Sequence, residues 1–176
     1  TSWWLIAVGA ISIAAAWGYT GGHTPYGYRG FGELSVFTFF GVVATVGTYY
    51  VQTLEITVAA FAASIPMGAL SCALLAINNI RDIPGDEVVG KKTLAVKLGD
   101  KNARKFFVAL LITAYIFPIF TGHTLALLTL ATAPAAYAIA REVLAGAKGA
   151  DLIPLLGRTG QLQLHFGLTF ALALSF

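Results

Sequence analysis

Residues 78–87 read Asn-Asn-Ile-Arg-Asp-Ile-Pro-Gly-Asp-Glu and lie at the end of a long apolar segment. They place one carboxamide and two carboxylates, on Asn78, Asp82 and Asp86, at intervals of four residues. Charged side chains next to a membrane-spanning segment are energetically unfavourable and usually serve a function. We therefore interpret this stretch as a candidate metal and phosphate site at the mouth of a helical membrane bundle.

The composition of the whole chain favours a lipid bilayer as its solvent. Of 176 residues, 57% are hydrophobic and 11% are charged, and the mean hydropathy is +0.78. Soluble domains carry about 25% charged residues. The chain therefore lacks the polar surface that a water-soluble protein of this length needs.

Two other features of the composition exclude common interpretations. The net charge of +3 does not indicate a nucleic-acid partner, because no basic stripe with interleaved aromatic residues occurs in the sequence. The single cysteine, Cys72, lies in an apolar run and cannot form an internal disulfide. We interpret it as a packing residue.

Six segments are long and apolar enough to cross a hydrocarbon core as helices, which takes about 20 residues. Lipid offers the backbone no hydrogen-bond partners, and the segments lack the alternation of barrel strands. The sequence therefore predicts an all-α fold, a polytopic transmembrane helical bundle. The predicted spans are approximately 2–19, 33–51, 55–79, 103–121, 123–140 and 158–176.

The connections between these spans alternate in charge. The long connections 20–32, 80–102 and 141–157, with the adjoining helix ends, hold all 11 lysine and arginine residues. The short links near 52–54 and at 122 hold none. The positive-inside rule places the charged connections in the cytoplasm and both ends of this chain on the outer face.

The backbone near Pro84 is predicted to break the third span. Proline has no amide donor and disfavours helical geometry at Ile83, while Gly85 permits a sharp turn. We expect the span to end near Asp82 and Asp86 to fold back beside it. A continuous helix would also bring both carboxylates to one ion.

The side chains of this stretch suit a metal and a diphosphate. Mg²⁺ accepts few protein ligands because it keeps several waters and shares phosphate oxygens. Arg81, Lys91 and Lys92 are candidates for neutralising a diphosphate. The alternative is a solvated cytoplasmic loop whose charges only satisfy membrane topology.

Two strings of residues resemble a known family. Residues 78–86, followed by 90–96 and 98–100, resemble the second aspartate-rich motif of the UbiA-type intramembrane prenyltransferases. Residues 19–34 begin Tyr-Thr-Gly-Gly and end Gly-Glu-Leu. They resemble the cytoplasmic loop before the fifth helix in the branch that prenylates 1,4-dihydroxy-2-naphthoate for menaquinone synthesis. The resemblance covers nearly the whole chain, although the last two spans match mainly in hydropathy.

The resemblance implies a bundle around a central cavity in the bacterial plasma membrane, with the active site facing the cytoplasm. It implies transfer of a polyprenyl group from polyprenyl diphosphate to 1,4-dihydroxy-2-naphthoate, with loss of CO₂, to give demethylmenaquinone. The implied cofactor is Mg²⁺, which with nearby cations stabilises the departing diphosphate. A dry pocket with aromatic faces suits the allylic cation that forms.

The resemblance also implies roles for individual residues. Asn78, Asp82 and Asp86 are the candidate catalytic residues, and Asp82 and Asp86 are the candidate metal ligands. Arg29 meets either the diphosphate or the carboxylate of the acceptor, unless it is only a topology anchor. The candidate diphosphate-binding residues are Arg81, Lys91, Lys92 and Arg29.

Aromatic residues of the first charged connection are the candidate walls of the acceptor cavity. These are Tyr19, Tyr26 and Tyr28. Ordinary packing is the alternative role for each of them.

The chain departs from the family pattern in its acidic residues. Family members carry another acidic motif on a facing helix, and no aspartate outside 78–86 lies in such a context. We therefore expect residues 1–176 to form a single prenyltransferase domain that is incomplete at its N-terminus, with six of nine spans. We expect this chain to be inactive alone and to associate with the absent segment or a larger membrane complex.

Other functions remain as alternatives. The aromatic acceptor is alternatively 4-hydroxybenzoate, homogentisate or a chlorin, although the Tyr-Thr-Gly-Gly loop favours naphthoate. A non-catalytic membrane subunit of a larger complex is an alternative of a different class. A transporter would place charge at mid-membrane, and these spans contain almost none.

Overall fold

The computed structural model of the protein describes residues 2–175, and these form six long helices with no strand among them. The prediction of an all-α fold is confirmed. The helices are α1 (Trp4–Thr20), α2 (Gly32–Thr53), α3 (Val58–Val88), α4 (Leu94–Thr121), α5 (Thr124–Leu144) and α6 (Leu152–Leu174).

Three of these helices contain irregular segments. A π-helical stretch, Phe37–Val43, lies inside α2. The last turns of α4, Phe117–Thr121, and the first turns of α5, Thr124–Thr132, are 3₁₀-helical. Pro118 lies at the start of the first of these 3₁₀ stretches, and Pro134 lies at the start of the α-helical part of α5. Both positions suit proline because the first residues of a helical segment need no intrahelical amide bond.

Four of the helices, α2 to α5, are long and apolar enough to span a membrane. α1 is apolar but has 17 residues. α6 has 23 residues, but several polar side chains lie along it, among them Arg158, Gln161 and Gln163. The described residues form the polytopic helical membrane bundle that the sequence predicts.

The prediction that the third span ends near Asp82 is wrong. α3 continues through Pro84 and Gly85 to Val88. A proline inside a helix removes one backbone hydrogen bond without ending the helix when packing holds the following turn. Ile83 and Asp86 are both buried in this turn, and this burial supports the helix beyond the proline.

Two other helix boundaries also differ from the prediction. α4 begins at Leu94, nine residues before the predicted span, and Gly99 with φ 71° marks a kink within it. α6 begins at Leu152 rather than at residue 158. Charged residues in the first turns of α4 hide its start from a prediction based on hydropathy alone, and Pro154 and Gly157 hide the start of α6.

α3 is the central helix of the bundle, and it packs against α2, α4 and α6. Its buried face carries Leu70 and Ile77. Phe107 of α4 and Phe166 of α6 are fully buried in the same apolar cluster. The polar residues Asn78, Asp82 and Asp86 at the end of α3 therefore belong to the most extensively packed helix of the fold.

α2 and α3 cross at a pair of glycines. A Cβ atom added to Gly41 would lie 2.6 Å from the Cα atom of Gly68 and 3.2 Å from the carbonyl oxygen of Ser64. No side chain fits between the two backbones at this point. Small residues allow membrane helices to approach each other this closely.

The three charged connections meet at one end of the bundle. The backbone amide of Lys92 donates a hydrogen bond to the carbonyl oxygen of Tyr28, which joins the first connection to the second. The guanidinium of Arg104 donates hydrogen bonds to the carbonyl oxygens of Val143 and Ala147, which joins the second to the third. The prediction that these connections share one side of the membrane agrees with this arrangement.

Candidate functional site

The acidic stripe consists of Asn78, Asp82 and Asp86 on the last turns of α3. Because α3 is continuous through this region, residues four apart lie on successive turns of one face. Each step along the stripe rises about 6 Å. The continuous helix thus brings the two carboxylates to the same side of the charged end of the bundle.

Asp86 is a buried carboxylate whose contacts are weak. It is 8% exposed. The hydroxyl of Thr93 donates a long hydrogen bond of 3.5 Å to its Oδ2 atom, and Lys91 Nζ lies 3.6 Å from its Oδ1 atom. A carboxylate has about four lone-pair positions, so Asp86 keeps the capacity to bind a further cation.

Lys91 connects Asp86 to the first charged connection. Its Nζ atom lies 4.6 Å from the centroid of the Tyr28 ring, within the range of a cation–π contact. The hydrogen bond from Lys92 to Tyr28 holds the two connections together beside this contact. Tyr28 therefore contacts the ammonium of Lys91. It does not line either of the two cavities that are described below.

Asp82 is neutralised by its neighbour Arg81. The guanidinium donates from Nε to Oδ1 at 2.7 Å and from Nη2 to Oδ2 at 2.9 Å. This two-point geometry is the one that arginine forms with carboxylate and phosphate groups. Both side chains are partly exposed, so the guanidinium can turn toward an incoming anion.

The other two candidate cations lie at the rim of the site. Arg29 and Lys92 are exposed, and neither side chain forms an ion pair among residues 2–175. The backbone of Arg29 is fixed by Lys97, whose Nζ atom donates a 2.6 Å hydrogen bond to its carbonyl oxygen. The structure thus brings Asp86, Lys91 and Tyr28 into contact and leaves the side chains of Arg29 and Lys92 apart from them.

Two apolar cavities flank α2 and share Val36 and Phe40 in their linings. The larger, of about 660 Å³, lies between α1 and α2, and Tyr19 and Tyr26 line it. The smaller, of about 430 Å³, lies between α2, α3 and α6, and Asn78 is a polar residue in its lining. The acidic stripe and the smaller cavity therefore meet at Asn78.

Sequence reasoning missed one buried polar pair. The side-chain amide of Asn79 donates a 3.0 Å hydrogen bond to Oε1 of Glu33, which is 6% exposed. Both residues belong to the strings that resemble the family motifs, but neither was assigned a role. An acidic residue at the first turn of an apolar span was the available signal.

The described part of the chain contains no group of three or more His, Cys, Asp or Glu side chains arranged to hold a metal. Asp82 and Asp86 supply two carboxylates, which are hard oxygen ligands. This set fits Mg²⁺, because that ion is held by one or two carboxylates together with water and phosphate oxygens. The unused capacity of buried Asp86 is consistent with the same ion.

The fold and the site together define a class of protein: a polytopic helical membrane protein with an acidic and basic site that adjoins an apolar cavity at Asn78. Such a site suits a substrate with an anionic head and an apolar body. Residues 1–150 match the UbiA prenyltransferase family, and the chain belongs to that family.

Three relatives illustrate the similarity. The chain is 48% identical to a 1,4-dihydroxy-2-naphthoate octaprenyltransferase of Mycobacterium tuberculosis over 98% of its own length and 60% of the relative. It is 37% identical to the Escherichia coli protein of that name over 96% of the chain and 56% of the relative. It is 31% identical to UbiA prenyltransferase domain-containing protein 1 of Rattus norvegicus, over 86% of the chain and 44% of the relative.

The chain thus spans about 60% of the length of the first two curated relatives. No solved structure matches it significantly.

Proposed function

We propose that the protein transfers a polyprenyl group from polyprenyl diphosphate to 1,4-dihydroxy-2-naphthoate, with release of the ring carboxylate as CO₂. The observation that carries this proposal is the acidic stripe, in which Asp82 and Asp86 lie beside Arg81 and Lys91, and Asn78 lines the smaller apolar cavity. The names of the relatives in M. tuberculosis and E. coli support the choice of acceptor.

Asp82 and Asp86 are the residues that would hold the metal. When bound, Mg²⁺ supplies positive charge that stabilises the departing diphosphate. Asp86 is fixed by the burial of its helical turn, so it presents its free lone pairs in a constant direction. Asn78, one turn before Asp82, adds a carboxamide at the edge of the smaller cavity.

Arg81 and Lys91 are the cations that bind the diphosphate. Each contacts a carboxylate of the stripe, so each lies within a side-chain movement of any phosphate held there. Arg81 offers a planar fork for two phosphate oxygens, and Lys91 offers a point charge. Lys92 and Arg29, exposed at the rim, attract the anion as it approaches.

The cavities provide the dry surroundings that an allylic cation requires. Their linings are mostly apolar and therefore offer few groups that would hold water beside the cation. Tyr19 and Tyr26 add aromatic faces to the larger cavity. Such faces stabilise a nearby cation by about 0.5–2 kcal/mol each.

The site faces the cytoplasm of a bacterial plasma membrane in this proposal. The charged connections of the described residues meet at one end of the bundle, and all 11 lysine and arginine residues lie in them or at adjoining helix ends. The positive-inside rule assigns that end to the cytoplasm.

The experiment is a transfer assay with the full-length protein in liposomes, with polyprenyl diphosphate, Mg²⁺ and a choice of aromatic acceptors. We expect prenylation of 1,4-dihydroxy-2-naphthoate with stoichiometric CO₂, and at least 100-fold lower kcat/KM with 4-hydroxybenzoate. Preference for 4-hydroxybenzoate, or transfer without decarboxylation, would contradict the proposal. Residues 1–176 alone are expected to give no turnover, because they supply one acidic motif and the family resemblance implies two.

A further inference from the structure

The carboxyl group of Glu33 is buried where two helices meet. Glu33 lies in the first turn of α2 and faces α3. Its Oε1 atom accepts the hydrogen bond from Asn79, and its backbone carbonyl accepts one from the thiol of Cys72 at 3.1 Å. Cys72 and Asn79 are two turns apart on the same face of α3. Two hydrogen bonds thus fix the start of α2 against this face.

The second carboxyl oxygen of Glu33 has no partner. Oε2 is the one buried side-chain nitrogen or oxygen atom without a hydrogen bond in the part of the chain that the structure describes. Leaving such an acceptor unpaired costs about 1–3 kcal/mol. A residue that is only structural would not need this oxygen, because a neutral side chain can accept the bond from Asn79.

Glu33 lies behind the wall that the two cavities share. A Cβ atom on its neighbour Gly32 would fit tightly, 3.1 Å from the hydroxyl of Tyr19 and 3.4 Å from a methyl group of Leu75. Tyr19 lines the larger cavity and Leu75 lines the smaller one. Val36, one turn after Glu33, lines both. Glu33 itself lines neither cavity, but residues that line the two cavities are its neighbours in sequence and in space.

The contact with Asn79 also places Glu33 beside the face of α3 that carries Asp86, a candidate metal ligand. Asn79 lies seven residues before Asp86, which places the two side chains on the same face of α3. The nearby cations are engaged elsewhere, Arg81 with Asp82 and Lys91 with Asp86. No described cation contacts Glu33, so no basic side chain of the described residues neutralises its free oxygen.

We propose that Glu33 is a specificity-determining residue, whose Oε2 atom accepts a hydrogen bond from a ring hydroxyl of the aromatic acceptor while Asn79 holds Oε1. This inference rests on the proposed function. Of the two proposed substrates, the prenyl diphosphate presents an anion and an apolar chain, whereas the dihydroxynaphthoate carries hydroxyl donors. A carboxyl oxygen therefore recognises the ring and not the prenyl donor. Since Oε2 is covered in the structure, the ring reaches it by displacing a wall side chain, and Tyr19, whose hydroxyl lies nearer to Gly32 than Leu75 does, is that side chain.

The deciding experiment uses Glu33→Gln in the full-length protein. Glutamine keeps the shape of the side chain and the oxygen that faces Asn79, but it replaces the free oxygen with an amide donor. We expect kcat/KM for 1,4-dihydroxy-2-naphthoate to fall about 10-fold or more, because a site built to bind a hydroxyl then lacks its acceptor. We expect the KM for polyprenyl diphosphate to change less than about 2-fold.

Asn79→Ala is the matched control, because it removes the contact with Oε1 and retains the free oxygen. A purely structural pair predicts the larger loss in Asn79→Ala and little change in Glu33→Gln. Equal kcat/KM values for the naphthoate in wild type and Glu33→Gln would overturn the inference. An equal loss toward both substrates would overturn it too.

A binding measurement on the wild-type protein covers the case in which Glu33→Gln does not fold. The probes are 1-hydroxy-2-naphthoate and 4-hydroxy-2-naphthoate, each of which lacks one ring hydroxyl. We expect one of them to bind about 10-fold more weakly than the dihydroxy compound, and equal affinities of all three would overturn the inference. If the wild type prenylates no aromatic acceptor, the proposed function itself fails, and this outcome is distinct from an active wild type with an unchanged Glu33→Gln variant.

Discussion

The backbone amide of Lys92 donates a 2.8 Å hydrogen bond to the carbonyl oxygen of Tyr28. This bond joins the connection after α1 to the connection after α3 at the charged end of the bundle. Beside it, the ammonium of Lys91 lies between the ring of Tyr28 and the carboxylate of Asp86. The two motifs of the sequence therefore meet at one end of the bundle, and an anion bound by Lys91 would also lie beside the first connection.

Lys91→Met is expected to change the affinities for donor and metal in opposite directions. Removing the ammonium should raise the KM for polyprenyl diphosphate about 10-fold, since hydrogen bonds to charged groups contribute about 1.5–3 kcal/mol. The Mg²⁺ concentration for half-maximal activity should fall, because no cation then competes for Asp86. Steady-state titrations of both ligands measure the two effects. Lys101→Met, at an exposed position on α4, is the control, and an unchanged donor KM in Lys91→Met contradicts the role of Lys91.

Gly41→Ala is expected to destabilise the bundle. The added methyl group would lie 2.6 Å from the Cα atom of Gly68, so the backbones of α2 and α3 must separate. Overpacking of this kind costs about 1–3 kcal/mol. Thermal unfolding in detergent should show a lower Tm for this variant. Gly47→Ala on the same helix meets no atom within 4 Å and should match or exceed wild type, and similar Tm values for both variants would argue against the close crossing.

Among substitutions that remove an ion pair at the charged end of the bundle, Arg104→Ala is expected to lower the stability of the protein most. Arg104 is 4% exposed, pairs with Asp100 at 2.7 Å, and donates to the carbonyl oxygens of Val143 and Ala147. Loss of hydrogen bonds from a charged group such as this guanidinium costs about 1.5–3 kcal/mol.

Arg158→Ala is the control for this effect, because its pair with Glu142 is exposed and contributes about 0–1 kcal/mol. Denaturant or thermal unfolding of both variants measures the difference. An equal effect of the two substitutions would show that Arg104 does not connect the second and third charged connections.

Chemical labelling tests the orientation of the charged end. His23 lies in the first charged connection, His123 lies in the link between α4 and α5, and both are exposed. Cys72, the single native cysteine, is buried, so it adds little background. A membrane-impermeant maleimide should label His123→Cys in spheroplasts and His23→Cys in inverted vesicles. Labelling of both from one side contradicts the predicted topology.

Much of the fold can be predicted from the sequence because local hydropathy identifies membrane helices. The six helices and the shared side of their charged connections were both predictable in this way. The continuation of α3 past Pro84 was not, because it depends on the burial of Ile83 and Asp86 in tertiary packing. The early start of α4 was also hidden, because Lys97 and Asp100 make its first turns resemble a loop.

Some residues of the candidate site could likewise be predicted from the sequence, and some of its contacts could not. Asp82 and Asp86 stand out from the sequence because their spacing and their neighbours carry chemistry. The pairing of Glu33 with Asn79 joins residues on two helices, and no local pattern reports it. The position of Tyr28 under Lys91 likewise depends on the contact between two loops.

The central claim is that Asp82 and Asp86 hold the metal that allows the diphosphate to leave. It is tested most directly by measuring Mg²⁺-dependent prenyl transfer to 1,4-dihydroxy-2-naphthoate by Asp82→Ala and Asp86→Ala in the full-length protein. Glu87→Ala removes an exposed carboxylate next to Asp86 and serves as the control. The account predicts at least about 100-fold lower kcat in both aspartate variants, given the size of such electrostatic terms, with Glu87→Ala within about 2-fold of wild type. Wild-type turnover and Mg²⁺ dependence in both aspartate variants would contradict it.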